Sequence, residues 1–245
     1  MDPRIRRENR TRQFQMQKGG RKLHDVLFHI GPVPVFSLTV TSWAIIIILG
    51  LFFFLGTRNL QRVPSGLQNV VEAVVEGLLD FFAGVLGEKR ARMYLPLLGT
   101  FFLFILLCNY SGLIPGSGEI DGFKAPTSDW NVTGALAIVV FFATHYYGIK
   151  AKGLSYFKHF LTPFAAFLPL NLLEEVARPL SLTLRLFGNV FAEETIIFFL
   201  LSMAPFLVPV PMLALSLMLG AIQALVFTIL ATSYIGASTE EHEEH

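Results

Sequence analysis

Charge is what this chain has little of. Only 15% of its 245 residues are Asp, Glu, Lys or Arg, the two signs nearly cancel at +1, and 53% are apolar, giving a mean hydropathy of +0.57. Such a balance offers no electrostatic footprint for nucleic acid or an acidic partner. Cysteine is almost absent. The single Cys108, set in an apolar run, excludes a disulfide framework and a cysteine metal cluster. There is no GxxxxGK[ST] and no other Gly-rich phosphate loop, so the chain is expected to bind no nucleotide and no cofactor. There is no HExxH either, and His145 and His159 stand alone in the sequence without ligand spacing. Residues 1–25 are polar, so the N-terminus does not read as a cleavable signal.

What is present in quantity is apolar sequence in membrane-length runs. Crossing a bilayer takes roughly 20 apolar residues, and five segments qualify: about 38–57, 94–114, 131–149, 164–204 and 208–236. Pro205, Pro209 and Pro211 separate the last two as a tight hairpin. Forty helical residues reach roughly 60 Å, about twice the hydrocarbon thickness. The fourth segment is therefore expected to be tilted, kinked at Pro169 or Pro179, or partly outside the bilayer. Residues 66–86 differ, because Glu72, Glu76 and Asp80 recur every four positions on one helical face. They predict an amphipathic helix at the membrane surface, or a hairpin entering it. Its carboxylate stripe is either a solvated face or a cation funnel.

The expected fold is thus an all-α integral membrane protein. It has about five transmembrane helices plus one interfacial amphipathic helix, and its last two helices are long, tilted and paired. Residues 1–37 form a basic tail and lead-in, 38–236 the membrane domain, and 237–245 an acidic tail. Charge alone does not orient it. The tail at 1–25 carries eight basic residues, the 58–93 loop five and the 150–160 loop three. Five spans cannot place all of these on one side, as the positive-inside rule would require.

Arg185 is the residue that most needs explaining. It lies in SLTLRLFGNVF, inside an apolar stretch from about Val176 to Ala204. A guanidinium at the bilayer centre costs about 2.5–3.5 kcal/mol on insertion scales. It cannot escape that cost by losing its proton. The physical uses are to face an ion or a carboxylate, or else to snorkel to an interface. With Arg185 at zero and about 100° per residue, Asn189 lies at about 40°, Glu193 at about 80° and Glu194 at about 180°. Two acids deep in a membrane helix must be wet or neutralised. On the last segment, Gln223 and Ser216 interrupt apolar sequence; a lone Gln is also compatible with an interhelical hydrogen bond.

RPLSLTLRLFGNVFAEE, followed by AIQALVFTILATSYIGAS, closely resembles subunit a of F-type ATP synthases. So do PSGLQNVVEAVVE at 64–76, FLFILLCNYSGLIPG at 102–116 and PTSDWNVTGALA at 126–137. The resemblance covers most of the chain, and the LRLFGN core is highly specific. It implies the membrane stator subunit that carries two ion half-channels, with Arg185 essential for ion translocation. Asn189, Glu193, Glu194, Gln223, Ser216 and Asn109 would line the ion path, and the ion expected there is a proton. The implied partners are the c-subunit ring, b-type peripheral stalk subunits, the F1 sector indirectly, and the lipid bilayer. The resemblance also implies a multi-pass protein of a bacterial plasma or energy-transducing organelle membrane. Its N-terminus faces away from F1 and its C-terminus lies on the F1 side. Asn189 and Gln223 are both expected within cross-linking reach of the ring.

Two positions depart from some relatives. Glu193 stands where some carry Gly, and Ser216 where some carry a titratable histidine; the family places these positions on facing helices, so the resemblance implies an ionisable group exchanged between them. The alternative reading is a secondary ion-coupled transporter. That class predicts an internal repeat with matching broken segments, and none is evident.

Overall fold

A computed structural model of the chain describes residues 26–30, 33–114, 125–153, 155–156, 168–203 and 209–239. The regular structure of the described residues is helical apart from one antiparallel hairpin, β1 (Val26–Ile30) with β2 (Val33–Phe36), in which Ile30 pairs with Val33 and Val26 with Phe36. The reading of residues 1–37 as tail and lead-in did not anticipate it, because five- and four-residue apolar runs are too short to separate strand from helix by period. The basic residues of the tail and the acidic end beyond Thr239 lie outside the described residues.

The six helices among the described residues are α1 (Ser37–Thr57), α2 (Leu67–Leu86), α3 (Glu88–Ser111), α4 (Trp130–Lys152), α5 (Leu168–Met203) and α6 (Pro209–Thr239). A buried 3₁₀ turn at Pro126–Ser128 precedes α4, whose N-terminus is capped by Asp129 accepting from the Asn131 N–H at 2.7 Å. The helices outrun the apolar segments. α3 begins six residues before Tyr94, through a charged turn braced by an Arg92–Glu88 ion pair at 2.9 Å. α6 ends at Thr239 rather than 236. Hydropathy marks what suits lipid, whereas backbone hydrogen bonding carries a helix on into water.

Among the described residues four helices are long and apolar enough to cross a membrane: α1, α3, α4 and α6. α5 is not one of them; it carries six charged residues, Glu174, Glu175, Arg178, Arg185, Glu193 and Glu194. It is nonetheless one continuous helix of 36 residues, about 54 Å long, running unbroken through Pro179. It packs along α4 and α6. α6 is the hub of the bundle, touching α2, α3, α4 and α5. The core between them holds Phe82, Leu98, Ile105, Val140, Leu182, Leu186, Phe227 and Ile235. α1, by contrast, presents Ile46, Ile47, Ile48 and Phe54 outward, as a helix solvated by lipid does.

The amphipathic reading of α2 holds. Val71, Phe82 and Leu86 are buried, while Glu76 and Asp80 are exposed. Glu72 accepts from Gln68 Nε2 at 2.7 Å. The stripe is the exposed side of a helix laid against α1 and α3.

One close approach supplies a stability prediction. A Cβ added at Gly148 on α4 would come within 2.5 Å of the Tyr156 ring, which is 3% exposed. Gly148→Ala should therefore expel that ring and cost about 1–3 kcal/mol, as overpacking does. An unchanged thermal midpoint for the purified variant would mean that the ring moves aside freely.

Candidate functional site

Arg185 falls at the middle of α5, with 17 helical residues before it (168–184) and 18 after (186–203). Its side chain is exposed, on a stripe with Ser181, Ala192, Ile196 and Phe199. It makes no hydrogen bond or ion pair to another described residue. Burial on α5 lies on the other side, at Leu182, Leu186 and Val190. The helix thus offers a permanent cation outward at mid-length, on a surface that is otherwise apolar or small.

One turn on, Asn189 Nδ2 donates to Gln223 Oε1 at 2.6 Å, tying α5 to α6. Gln223 is 5% exposed, and its own Nε2 has no hydrogen-bond partner among the described residues. The expectation that Gln223 reaches outward alongside Asn189 is corrected. Asn189 is on the exposed face, whereas Gln223 is locked into the seam because α6 turns that side toward α5. Ser216, Gly220 and Gln223 share one face of α6, at spacings of four and seven. Ser216 is 1% exposed, and its Oγ faces the half-buried Glu193 carboxylate.

Glu194 points the other way, into the bundle. Its Oε1 is buried and lies 3.6 Å from where a Cβ would stand on Gly112, at the end of α3. Asn109 is close by in the chain and fully engaged. Its Nδ2 donates to the Gly220 carbonyl at 3.0 Å, and its Oδ1 accepts from Thr127 Oγ1 at 2.8 Å. A Cβ on Gly220 would sit 3.2 Å from Asn109 Cβ, so α3 and α6 are as close there as glycine permits. The sequence-predicted residues thus lie along the C-terminal half of α5 and the N-terminal half of α6, beginning at Arg185 and Gln223 near mid-helix, with Asn109 at the end of α3. Arg185 and Asn189 face outward, Glu194, Ser216, Gln223 and Asn109 inward, and Glu193 lies at the margin. Thr127 joins them, a residue that sequence reading passed over because its partner lies 18 positions away.

A second polar cluster stands at the opposite end of α5, and sequence reading missed it. Arg178 Nη1 lies 3.2 Å from Glu175 Oε1, and its Nη2 lies 2.7 Å from Glu174 Oε1. The guanidinium also lies 5.4 Å from the Tyr234 ring centroid on α6. Glu175 is 8% exposed. His145 does not stand alone as its sequence surroundings suggested, since its Nε2 lies 3.8 Å from Glu175 Oε2. The signal was available in part: Glu174, Glu175 and Arg178 have i,i+4 and i,i+3 spacing. The α4 partner was not. Along the helix, Glu175 precedes Arg185 by ten residues, about 15 Å, and Glu194 follows it by nine, about 13 Å. The arginine therefore has an inward-turned acid on either side at similar axial distance. Among the described residues no three His, Cys, Asp or Glu side chains group as metal ligands.

The sequence of residues 39–236 matches the family described as ATP synthase A chain. Similar curated proteins include the ATP synthase subunit a of Moorella thermoacetica, 43% identical over 220 residues that cover 88% of this chain and 96% of that protein. The ATP synthase subunit a of Gloeobacter violaceus is 42% identical over 226 residues, covering 89% and 90%.

Proposed function

This chain belongs to the ATP synthase A chain family, and from that premise we propose that it is the ion-translocating stator subunit of the membrane sector. In this reading Arg185 faces a ring of c subunits, each carrying one carboxylate at mid-membrane. Glu194, with Glu193, Ser216, Asn109 and Gln223, lines a half-channel open to the side away from F1. Glu175 stands in a second half-channel open to the F1 side. Stalk subunits of b type hold the chain against the turning ring, and F1 is reached only through them. The observation that carries the reading is Arg185 itself, an outward cation without a partner among the described residues at the centre of a 36-residue helix, between two inward acids.

The chemistry follows from the cost of charge in lipid. A ring carboxylate exposed to hydrocarbon is neutral, with its ion bound. Beside Arg185 its ionised form is favoured, because an opposite charge within about 4–6 Å shifts a carboxyl by 1–3 pKa units. It therefore sheds its ion into one half-channel on approach and reloads from the other after passing. A guanidinium keeps its proton, so Arg185 also blocks a direct leak between the two paths. Ion flow then requires rotation. About 100 mV supplies about 2.3 kcal/mol per charge, so several ions must cross for each ATP made. The ion is taken to be a proton, handled by carboxylates.

The test combines isolation and cross-linking. The chain should co-purify with a c-ring and F1. Because Cys108 is the sole cysteine and is buried, introduced cysteines report cleanly. Cysteines at Asn189, Ala192 or Ile196 should cross-link to the outer helix of the ring, and one at Ile47 on α1 should not. Reaction at Ile47 with silence on α5 would reverse the assignment of faces. Flux in liposomes with H⁺ and Na⁺ varied separately identifies the ion.

A further inference from the structure

The His145 contact has a use that the ion path does not exhaust. We propose that His145 is a positioning residue for Glu175: when protonated it clamps that carboxylate and slows ion passage on the F1 side, so that throughput falls as F1-side pH falls. This rests on the reading of Glu175 as an acid of that half-channel.

The tautomer carries the argument. His145 Nδ1 lies 2.8 Å from the Phe141 carbonyl, which can only accept, so Nδ1 holds the hydrogen. In the neutral ring, Nε2 then presents a lone pair to Glu175 Oε2 at 3.8 Å. Two acceptors face each other and no bond forms. A proton on Nε2 turns that pair into a cation opposite an anion. Glu175 is already held through its other oxygen by Arg178 at 3.2 Å. Neutral His145 leaves it with one cation and protonated His145 gives it two. A carboxylate between two cations binds a proton more weakly and passes one on less readily. Imidazole is the side chain whose charge changes between about pH 5 and 8. The side chain of His145 is 21% exposed, and it stands near the end of α4 that carries Lys150 and Lys152.

The surrounding charges, among the described residues, do not supply the switch. On α5 the facing groups are Glu175, Arg178 and, behind Arg178, Glu174. After α4, the Tyr156 ring lies 5.8 Å from the imidazole. Burial, and then the Glu175 carboxylate, push its phenol above the ordinary value against an opposing effect of Arg178, so it stays neutral. On α6 the titratable group is Tyr234, taken up by Arg178. On α4 itself Lys150 lies over Tyr146, 6.0 Å away. His145 is the imidazole in this set.

The experiment uses the assembled complex in liposomes, with the driving force held constant while F1-side pH is stepped from about 8 to about 5.5. Wild type should slow on the order of three- to tenfold, as a second cation beside the carboxylate holds back its proton exchange. His145→Gln should lose that slope, and His145→Arg should be slow and flat. A wild-type rate independent of F1-side pH would overturn the proposal. So would a His145→Gln variant that keeps the wild-type slope, or one that slows equally at every pH without changing it. Glu175→Gln in the same vesicles separates the two levels. If it carries flux normally, the path itself is misassigned. If it is inactive while His145→Gln keeps its slope, only the role of His145 fails.

Discussion

Arg185→Ala should abolish coupled ATP synthesis while leaving the complex assembled. The side chain is exposed and makes no hydrogen bond or ion pair to another described residue, so nothing in the bundle loses a partner when it goes. What is lost is the cation that favours ion release from the passing carboxylate and bars leakage between the two half-channels. Synthesis should drop to background, and the membrane sector should become passively permeable. Arg185→Lys should fail as well in large part. A compact ammonium whose pKa moves readily on burial does not reproduce a planar, permanently charged fork. Proteoliposomes energised by an ion gradient, with assembly checked by co-purification, give the measurement. Wild-type synthesis in the alanine variant would sink the whole mechanism.

Glu194→Gln should cost more than Glu193→Gln, and the double variant should be nearly inactive. Glu194 points inward against Gly112 at the end of α3, close to Asn109 and Thr127, whereas Glu193 is half-buried at the margin facing Ser216. An acid relaying ions belongs at the first position. One that tunes the seam between α5 and α6 fits the second. Glu194→Gln removes a titratable group without changing its size. A loss on the order of a hundredfold is expected, within the range by which a positioned proton donor or acceptor speeds transfer. Flux is read from both sides of the membrane for each variant. Normal translocation by the double variant would make these acids structural, as caps of a hydrogen-bond network between helices, and would put the path elsewhere.

The uneven legibility of the site has a physical basis. Arg185 could be found in the sequence because its cost in lipid is a property of residue and surroundings alone. Glu193, Glu194 and Gln223 were legible for the same reason, as polar groups in apolar runs. Their directions were legible only in part. The 100° rule put Glu194 opposite Arg185, and the helix does turn it inward. Gln223 sits on another helix, whose rotation about its axis is set by packing, so its burial against Asn189 could not be read. The same limit hid the role of Asn109. Its amide spends both ends on Gly220 and Thr127, 111 and 18 residues away.

By itself the sequence determined that the chain is helical and membrane-embedded, where its helices lie to within a few residues, and which charge within apolar sequence is anomalous. Those properties depend on local composition, on period and on the cost of moving a group out of water. The tertiary structure decided which polar groups meet. It set Asn189 on Gln223, brought the Asn109–Thr127 pair to Gly220, and turned Glu194 inward while leaving Arg185 outward. It also joined His145 of α4 to the Glu175–Arg178 pair of α5. Such contacts arise from how helices rotate and approach to fill a common core. No local property of Val140 or Leu182 announces that they will close up and carry an imidazole to within 3.8 Å of a carboxylate.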